Sequence, residues 1–463
     1  MKIVLNEKDN VGVSLTETDV PAGHKYALGD IPCGGLVIKY GEIIGRAKKD
    51  IKKGEWVHTH NVRSHLDEDV DYVYNYNAET FESTRMTFRG YKRAYGRAGI
   101  RNDIYVIPTV GCVNNVCTAL AKKCQPLIKG SVDGVWALTH QFGCSQLGVD
   151  NDNIKKLLCS IALNPNATFV LFVGLGCENN GMDGIREYLA PYNRDNIAYM
   201  ICQDETDEIE TGIKILSDFI ERASVLQREE IDVSELTIGL KCGGSDGYSG
   251  ITANPTLGRV VDKVVGAGGS AVLTEVPEMF GAEQILMNKC SDEDVFNRYK
   301  KMIEDFKAYY TDQGFPVYEN PSPGNKAGGI TTLEEKSLGC IKKAGSSKIV
   351  DVLGYGDIKR LQGVSTLNAP GNDLIAATAL GASGCQLVVF TTGRGTPFST
   401  FVPTLKVASN DKLADKKSNW IDFNAYGMDD VALLDKILKC ASGEAVKSEE
   451  WREIAFYKTG VTL

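Results

Sequence analysis

Eight short apolar runs between residues 104 and 392 constrain this chain more than any other feature. They are IYVIPTV (104–110), GVWALTH (134–140), TFVLFVG (168–174), IAYMIC (197–202), LTIGL (236–240), SAVLTEV (270–276), SKIVDVL (347–353) and QLVVFTT (386–392). Each is nearly continuous in apolar residues rather than alternating, as expected of strands covered on both faces. Between them lie helical patterns. In Glu205 to Asp232, residues Ile209, Ile213, Leu216, Ile220 and Ala223 recur on one helical face. Such alternation predicts a large, Rossmann-like, doubly wound parallel α/β region. We divide it near residue 234 into two halves, 91–233 and 234–463. The first 65 residues differ: LGDIPCGGLVIKYGEIIGRAKKDIKKGEWVHTH (28–60) alternates brief apolar runs with glycine turns, predicting a small all-β domain over 1–65. Residues 66–90, acidic and rich in Tyr and Asn, read as a linker pinned by its tyrosines.

In open α/β sheets ligands bind beyond the carboxyl ends of the strands. Four runs end there in a glycine-flanked cysteine: Cys112, Cys144, Cys177 and Cys242. SAVLTEV delivers Glu275 and Glu278, and QLVVFTT delivers Arg394 between two glycines. What the thiols can do depends on compartment. The start, MKIVLNEKDN, lacks the apolar core of a signal peptide, and the most apolar stretch, Ala167 to Cys177, is too short to span a bilayer. A cytoplasmic protein with reduced thiols is therefore expected, in which cysteines fill cores, catalyse or bind metal. Of the 13 cysteines, the four strand-end ones form the candidate metal set, since thiolates select iron, iron–sulfur clusters or zinc. The other nine, Cys340 and Cys440 among them, read as small buried apolar residues.

Other residues carry weaker signals. His58 and His60 share one face of a strand in WVHTH and can bind metal or shuttle protons; a solvated surface pair is the plain alternative. His140 ends a strand four residues before Cys144, as a base or as a core-bonded imidazole. Arg394 suits a carboxylate, and Lys326, in the rigid loop NPSPGNKAGG (320–329), is a second candidate anion clamp. GLGCENNG (174–181) lacks the dinucleotide spacing, so a nicotinamide cofactor is not expected. The 51 basic against 60 acidic residues give a net charge of −9, which argues against a nucleic-acid or membrane-surface partner.

GRAGIRN (96–102), GLGCE (174–178), KCGGSDGYSGITANPTLG (241–258), NPSPGNKAGG (320–329) with EEKSLG (334–339), and FTTGRGTPF (390–398) closely resemble the altronate dehydratase/galactarate dehydratase family of sugar-acid lyases. GHKYALGDIP (23–32), VIKYGEIIGRA (37–47) and VHTHN (57–61) resemble that family's N-terminal SAF domain, a β-clip, and His58, Thr59, His60, Asn61 and Arg63 match its altronate branch. The resemblance implies iron-dependent removal of water from a sugar acid to give a 2-keto-3-deoxy acid, in a homo-oligomer. The iron, as Fe²⁺ or an iron–sulfur cluster, would sit on Cys144, Cys177 and Cys242 with Cys112 as fourth ligand or nearby. Arg394 and Lys326 would hold the carboxylate, with Ser245, Asp246 and Asn325 of the same loops as further substrate contacts. His140 or Glu275 would be the base, and His58 and His60 would close the site. Galactarate dehydration, carbon–sulfur cleavage of a sulfolactate and a non-catalytic sugar-acid sensor are the alternatives.

Overall fold

The computed structural model describes residues 2–66, 71–82 and 84–461. It is a mixed α/β architecture with a small β domain at the amino terminus. That domain holds two antiparallel sheets. One pairs Lys2–Ile3, Val11–Ser14, Lys25–Ala27 and Trp56–Val57; the other pairs Leu36–Lys39, Glu42–Ala47 and Val62–Arg63. All eight apolar runs contribute strands of parallel sheets, divided between two sheets. The first has the order Gly134–Ala137, Asp103–Pro108, Ala167–Gly174, Ile197–Ile201. The second has seven strands. Its central order is Ile349–Leu353, Gly363–Leu367, Ser270–Leu273, Thr237–Cys242, Leu387–Thr392, extended by Thr404–Ala408 and Phe423–Asn424. Gly363–Leu367 and Thr404–Ala408 are fully buried strands whose Ser, Thr and Lys residues disguise them in the sequence.

Side chains alternate between two cores along each strand, which is why the runs are apolar throughout. Leu387 and Val389 join the core beneath the N-terminal domain, whereas Val388 joins a second core shared with Tyr105, Ile107, Val170 and Phe172 of the four-stranded sheet. This shared core packs the two α/β halves together. The chain end reinforces it: Phe456 packs against His140 and Phe142, and Tyr457 against Tyr355, just after the strand Ile349–Leu353. The carboxyl edges of the two sheets are thus joined by one segment.

The periodic helix is shorter than the 205–232 pattern predicts. It spans Glu208–Ser224, capped by the Asp207 side chain, because Glu229–Asp232 instead pairs antiparallel with Thr87–Gly90. The expected linker over 66–90 falls partly outside the described residues, at 67–70 and 83. Two of its described tyrosines are bonded to the second half: the Tyr72 hydroxyl donates to Glu283 (2.5 Å) and that of Tyr74 to the Cys290 carbonyl (2.8 Å).

The N-terminal domain is held by a buried ion pair. Glu335 accepts from Lys25 and Lys39, each at 2.8 Å, and all three side chains are essentially inaccessible. Burial disfavours the Glu335 carboxylate, but the two ammonium groups outweigh it and hold its pKa at about 2. A depressed carboxylate stabilises the fold above its ordinary pKa of 4.5 and loses that contribution as pH falls toward 2. Glu335→Gln is expected to cost about 3–5 kcal/mol near neutral pH, since two buried cations lose their partner. Urea denaturation checks this, and the gap between wild type and variant should narrow as pH drops below 4.5.

Candidate active site

Three loops meet at the carboxyl edge of the seven-stranded sheet. The first follows Thr237–Cys242 and carries Ser245 and Asp246; the second is the 320–329 loop; the third carries Arg394. Glycines let them approach. A Cβ on Gly393 would fall 2.3 Å from the Asp246 carboxyl carbon, so only glycine fits there. Asn325 accepts from the amide of Ser322, the cap of the short helix Pro323–Ala327, and donates to the Ser245 carbonyl (2.8 Å). Asp246 is buried and accepts from Ser249, Ser409 and Asn410, all at 2.9 Å. Arg394 is exposed and spends one donor on the Gly324 carbonyl (3.2 Å). Asp246, Gly328 and Arg394, with Tyr248, Asn410 and Tyr426, line an open cavity of about 490 Å³. The five residues expected to touch substrate, Arg394, Lys326, Ser245, Asp246 and Asn325, therefore lie on adjoining loops. Asn325 and Asp246 serve mainly to brace them, while the Ser245 hydroxyl is buried with no partner.

Beneath these loops lies a buried charged network. Lys241, which ends its strand beside Cys242, donates to Glu275 and to Asp373 (2.9 Å). Glu275, at a left-handed φ of 72°, also accepts from Lys343 (2.7 Å) and from the Cys242 amide (3.0 Å). The Sγ atoms of Cys242 and Cys340 are 3.3 Å apart, and both approach Glu278 Oε2, at 3.4 and 3.2 Å. Lys343 Nζ reaches Cys242 Sγ at 2.8 Å, and Lys336 pairs with Glu278 at 2.8 Å and bonds Asn325 at 3.2 Å. Burial opposes the Glu278 carboxylate, but Lys336, Lys241 and Lys343 hold its pKa near 2. The hydrogen bond between the Cys340 and Cys242 thiols, with burial, pushes the Cys340 thiol well up. Among the described residues, Cys242, Glu278 and Cys340 form the one group of three potential ligands within 4.8 Å.

The expected four-cysteine set is thus divided. Cys112, Cys144 and Cys177 follow strands of the four-stranded sheet, whereas Cys242 belongs to the seven-stranded one; spacing along the chain carries no information on which sheet a strand joins. The three loops bearing Cys112, Cys144 and Cys177 are tied together. The Gly111 amide bonds the Phe142 carbonyl (2.9 Å), and the Asn180 amide bonds that of Gly143 (3.0 Å). Gly143, at φ 100°, leaves no room for a Cβ, which would sit 2.0 Å from the Thr109 carbonyl. All three thiols are exposed and free.

His140 stands at this edge, not beside Arg394. Its Nε2 bonds the Pro108 carbonyl (2.8 Å), its Nδ1 accepts from the Phe142 amide (3.1 Å), and burial pushes its pKa down to about 4. Both ring nitrogens serve the backbone, which is the core-bonded alternative. Glu275, the other expected base, is enclosed by two ammonium groups. His58 and His60 flank Trp56, with ring centroids 5.4 and 5.2 Å away. Burial, then Lys25 and His24, lower the His58 pKa to about 4, and its Nδ1 is buried without a partner. His24, which the sequence reading passed over in GHKYALGD, lies 5.1 Å from His58; beside it, Lys25 donates to the Gly329 carbonyl (2.7 Å). Also missed were Lys241, Lys336, Lys343 and the partnership of Cys340. For Lys336, Cys340 and Lys343 the signal was present in EEKSLGCIKK (334–343), where charges interrupt a segment that is buried almost throughout.

Three family models cover nearly the whole chain. The altronate/galactarate dehydratase SAF domain matches residues 6–65, the D-galactarate dehydratase/altronate hydrolase second domain 90–224, and the D-galactarate/altronate dehydratase C-terminal domain 233–462. The altronate dehydratases of Bacillus subtilis strain 168 and Escherichia coli strain K12 are each 48% identical, over 98% of this chain and 94% of theirs. The chain belongs to the altronate/galactarate dehydratase family. Within it the altronate branch is nearer: the galactarate dehydratase (L-threo-forming) of E. coli is 33% identical, over 89% of this chain and 82% of its own.

This arrangement makes a thiol prediction for the family member in hand. Cys33, Cys112, Cys144 and Cys177 are exposed, and Cys242 and Cys340 buried. In chelator-treated native protein, a chromogenic disulfide reagent should modify those four fast, with Cys242 and Cys340 reacting only on unfolding. Peptide mapping of the labelled sites checks the assignment.

Proposed function

We propose that this carbon–oxygen lyase removes water from a sugar acid of the altronate type, giving a 2-keto-3-deoxy acid. The carrying observation is the gathering of Arg394, Asp246 and the Lys326 loop around one cavity, in a chain that aligns end to end with altronate dehydratases. Arg394 keeps most of its planar fork free, so it can grip a carboxylate in two parallel bonds. Lys326 adds a second positive charge on the facing loop. As the C2 proton leaves, charge spreads onto that carboxylate, and cations already in place stabilise it without reorganising. We assign the proton acceptor to His58: it is uncharged at neutral pH and its Nδ1 is unpartnered. Trp56, stacked on it, and His24, edge-on to it, fix its ring. Glu275 and His140 take positioning roles, the first by orienting Lys241 and Lys343, the second by fixing the Cys144 loop.

The metal we propose is iron, on Cys112, Cys144 and Cys177. The donor set is soft, exposed and outside any disulfide, with only a weak 3.7 Å bond from the Ser145 hydroxyl to Cys144, which fits iron or an iron–sulfur cluster. When bound, such a centre supplies Lewis acidity. A second reading, favoured by its 4.8 Å grouping, places the metal on Cys242, Glu278 and Cys340. There, however, ammonium groups already occupy Cys242 and Glu278.

Three experiments test these assignments. Arg394→Lys should lower kcat as well as kcat/KM, the latter roughly 10- to 150-fold for a lost charge-assisted contact, with an unchanged melting temperature. Assays with altronate, galactarate and sulfolactate side by side check the substrate. Anaerobically iron-loaded protein should expose Cys33 alone to the thiol reagent; continued labelling of Cys112, Cys144 and Cys177 would move the metal to the buried group.

A further inference from the structure

A second cavity of about 430 Å³ opens at the opposite end of the same elements, between the two α/β halves. Thr237 lines it, and Thr237 begins the strand that ends at Cys242. Ser383 lines it too, directly after the helix Asp373–Ala382 whose first residue pairs with Lys241. The cavity is therefore separated from the candidate active site by the length of a strand.

Its walls carry four cations, Arg97, Arg194, Lys359 and Arg360, and no Asp or Glu. The carboxylates nearby are engaged elsewhere. Glu235 accepts from the Ala98 amide (3.3 Å), Asp195 from the Tyr95 hydroxyl, and Asp351 from Arg298 (2.7 Å). The Arg194 Nε is buried and has no hydrogen-bond partner. Arg360 is exposed and makes no ion pair among the described residues. Burial, then Arg97, pushes Lys359 down to about 8, outweighing the opposing pull of Cys385 and Asp351. Tyr95, Tyr192, Leu163, Pro165 and Ile358 supply an apolar wall beside these charges.

We propose that this cavity binds an organic phosphate monoester. Four cations line one cavity, and although Arg97 also bonds Thr237 (2.8 Å) and Lys359 the Leu361 carbonyl, so much positive charge calls for a ligand with about two negative charges and several acceptor oxygens, which a phosphate monoester provides and a single carboxylate does not. The apolar wall takes the organic body, and the volume lies in the range of small-molecule sites. The inference does not depend on the reaction assigned above.

Titration calorimetry on the full chain tests it, with adenosine 5′-monophosphate, ribose 5-phosphate, inorganic phosphate and citrate as probes. At least one of the two monoesters should bind below about 1 mM. Arg360→Gln, and Arg194→Gln with Arg360→Gln, should weaken it about tenfold or more, as expected for lost charge-assisted bonds. Turnover without the probe should be unchanged, since neither residue lies at the catalytic edge. Which monoester binds more tightly distinguishes a nucleotide from a sugar phosphate. Absence of binding by both monoesters to about 10 mM, or equal affinity in the variants, would overturn the site. Equal binding of citrate would overturn the phosphate assignment, and equal binding of inorganic phosphate would overturn the role of the apolar wall.

Discussion

Buried charge has to be paired, and in this protein that requirement ties the domains and the site together. Glu335 lies between Lys25 and Lys39 and fixes the N-terminal domain on the seven-stranded sheet. One residue further on, Lys336 begins the chain of contacts that runs through Glu278, Cys340 and Cys242 to Lys343 and Glu275. A single short helix, Leu333–Cys340, thus carries the anion that docks one domain and the cation that braces the floor of another. Removing a member of either network leaves an uncompensated charge where water cannot reach it.

That floor gives the three loops above it their rigidity. Lys336 bonds Asn325, and Asn325 bonds the Ser245 carbonyl, so the second loop is anchored from below and the first from the side. Arg394 is left with donors to spare on a turn that cannot sag, because Asp246 is clasped by Ser249, Ser409 and Asn410. For a reaction that builds charge on a carboxylate, a fixed cation facing an open cavity is the useful arrangement. The histidines of the N-terminal domain reach the same region because Lys25, their neighbour, is pinned to Gly329.

Much of this was legible in the residues. Near-continuous apolar runs announce parallel strands, because a strand covered on both faces has no place for a polar alternate. The glycine-flanked turns pointed to the strand ends as the place of chemistry, and the loops carrying Arg394, Lys326, Ser245, Asp246 and Asn325 do meet there. Gly363–Leu367 and Thr404–Ala408 were illegible for the converse reason: Ser365, Thr366 and Lys406 are buried polar residues, two in a strand interior and one bonded to Ser448 (2.6 Å). The helix end near Ser224 was illegible because its limit is set by pairing with a strand about 140 residues away in the chain.

The sequence by itself determined the fold class, the family and the end of each strand at which the candidate loops gather, since these follow from local periodicity, turn chemistry and motif. Only the tertiary structure decided which cysteines share a site. Cys112, Cys144 and Cys177 stand on one sheet and Cys242 on the other, and Cys340, read as filler, is the thiol 3.3 Å from Cys242. It likewise decided that His140 serves its own backbone and that Glu275 is enclosed by lysines. The reason is one of range. Hydrophobic patterning acts over a turn or a strand, whereas the partner of a buried polar group is chosen by how sheets pack, across distances in the chain on which no local pattern bears.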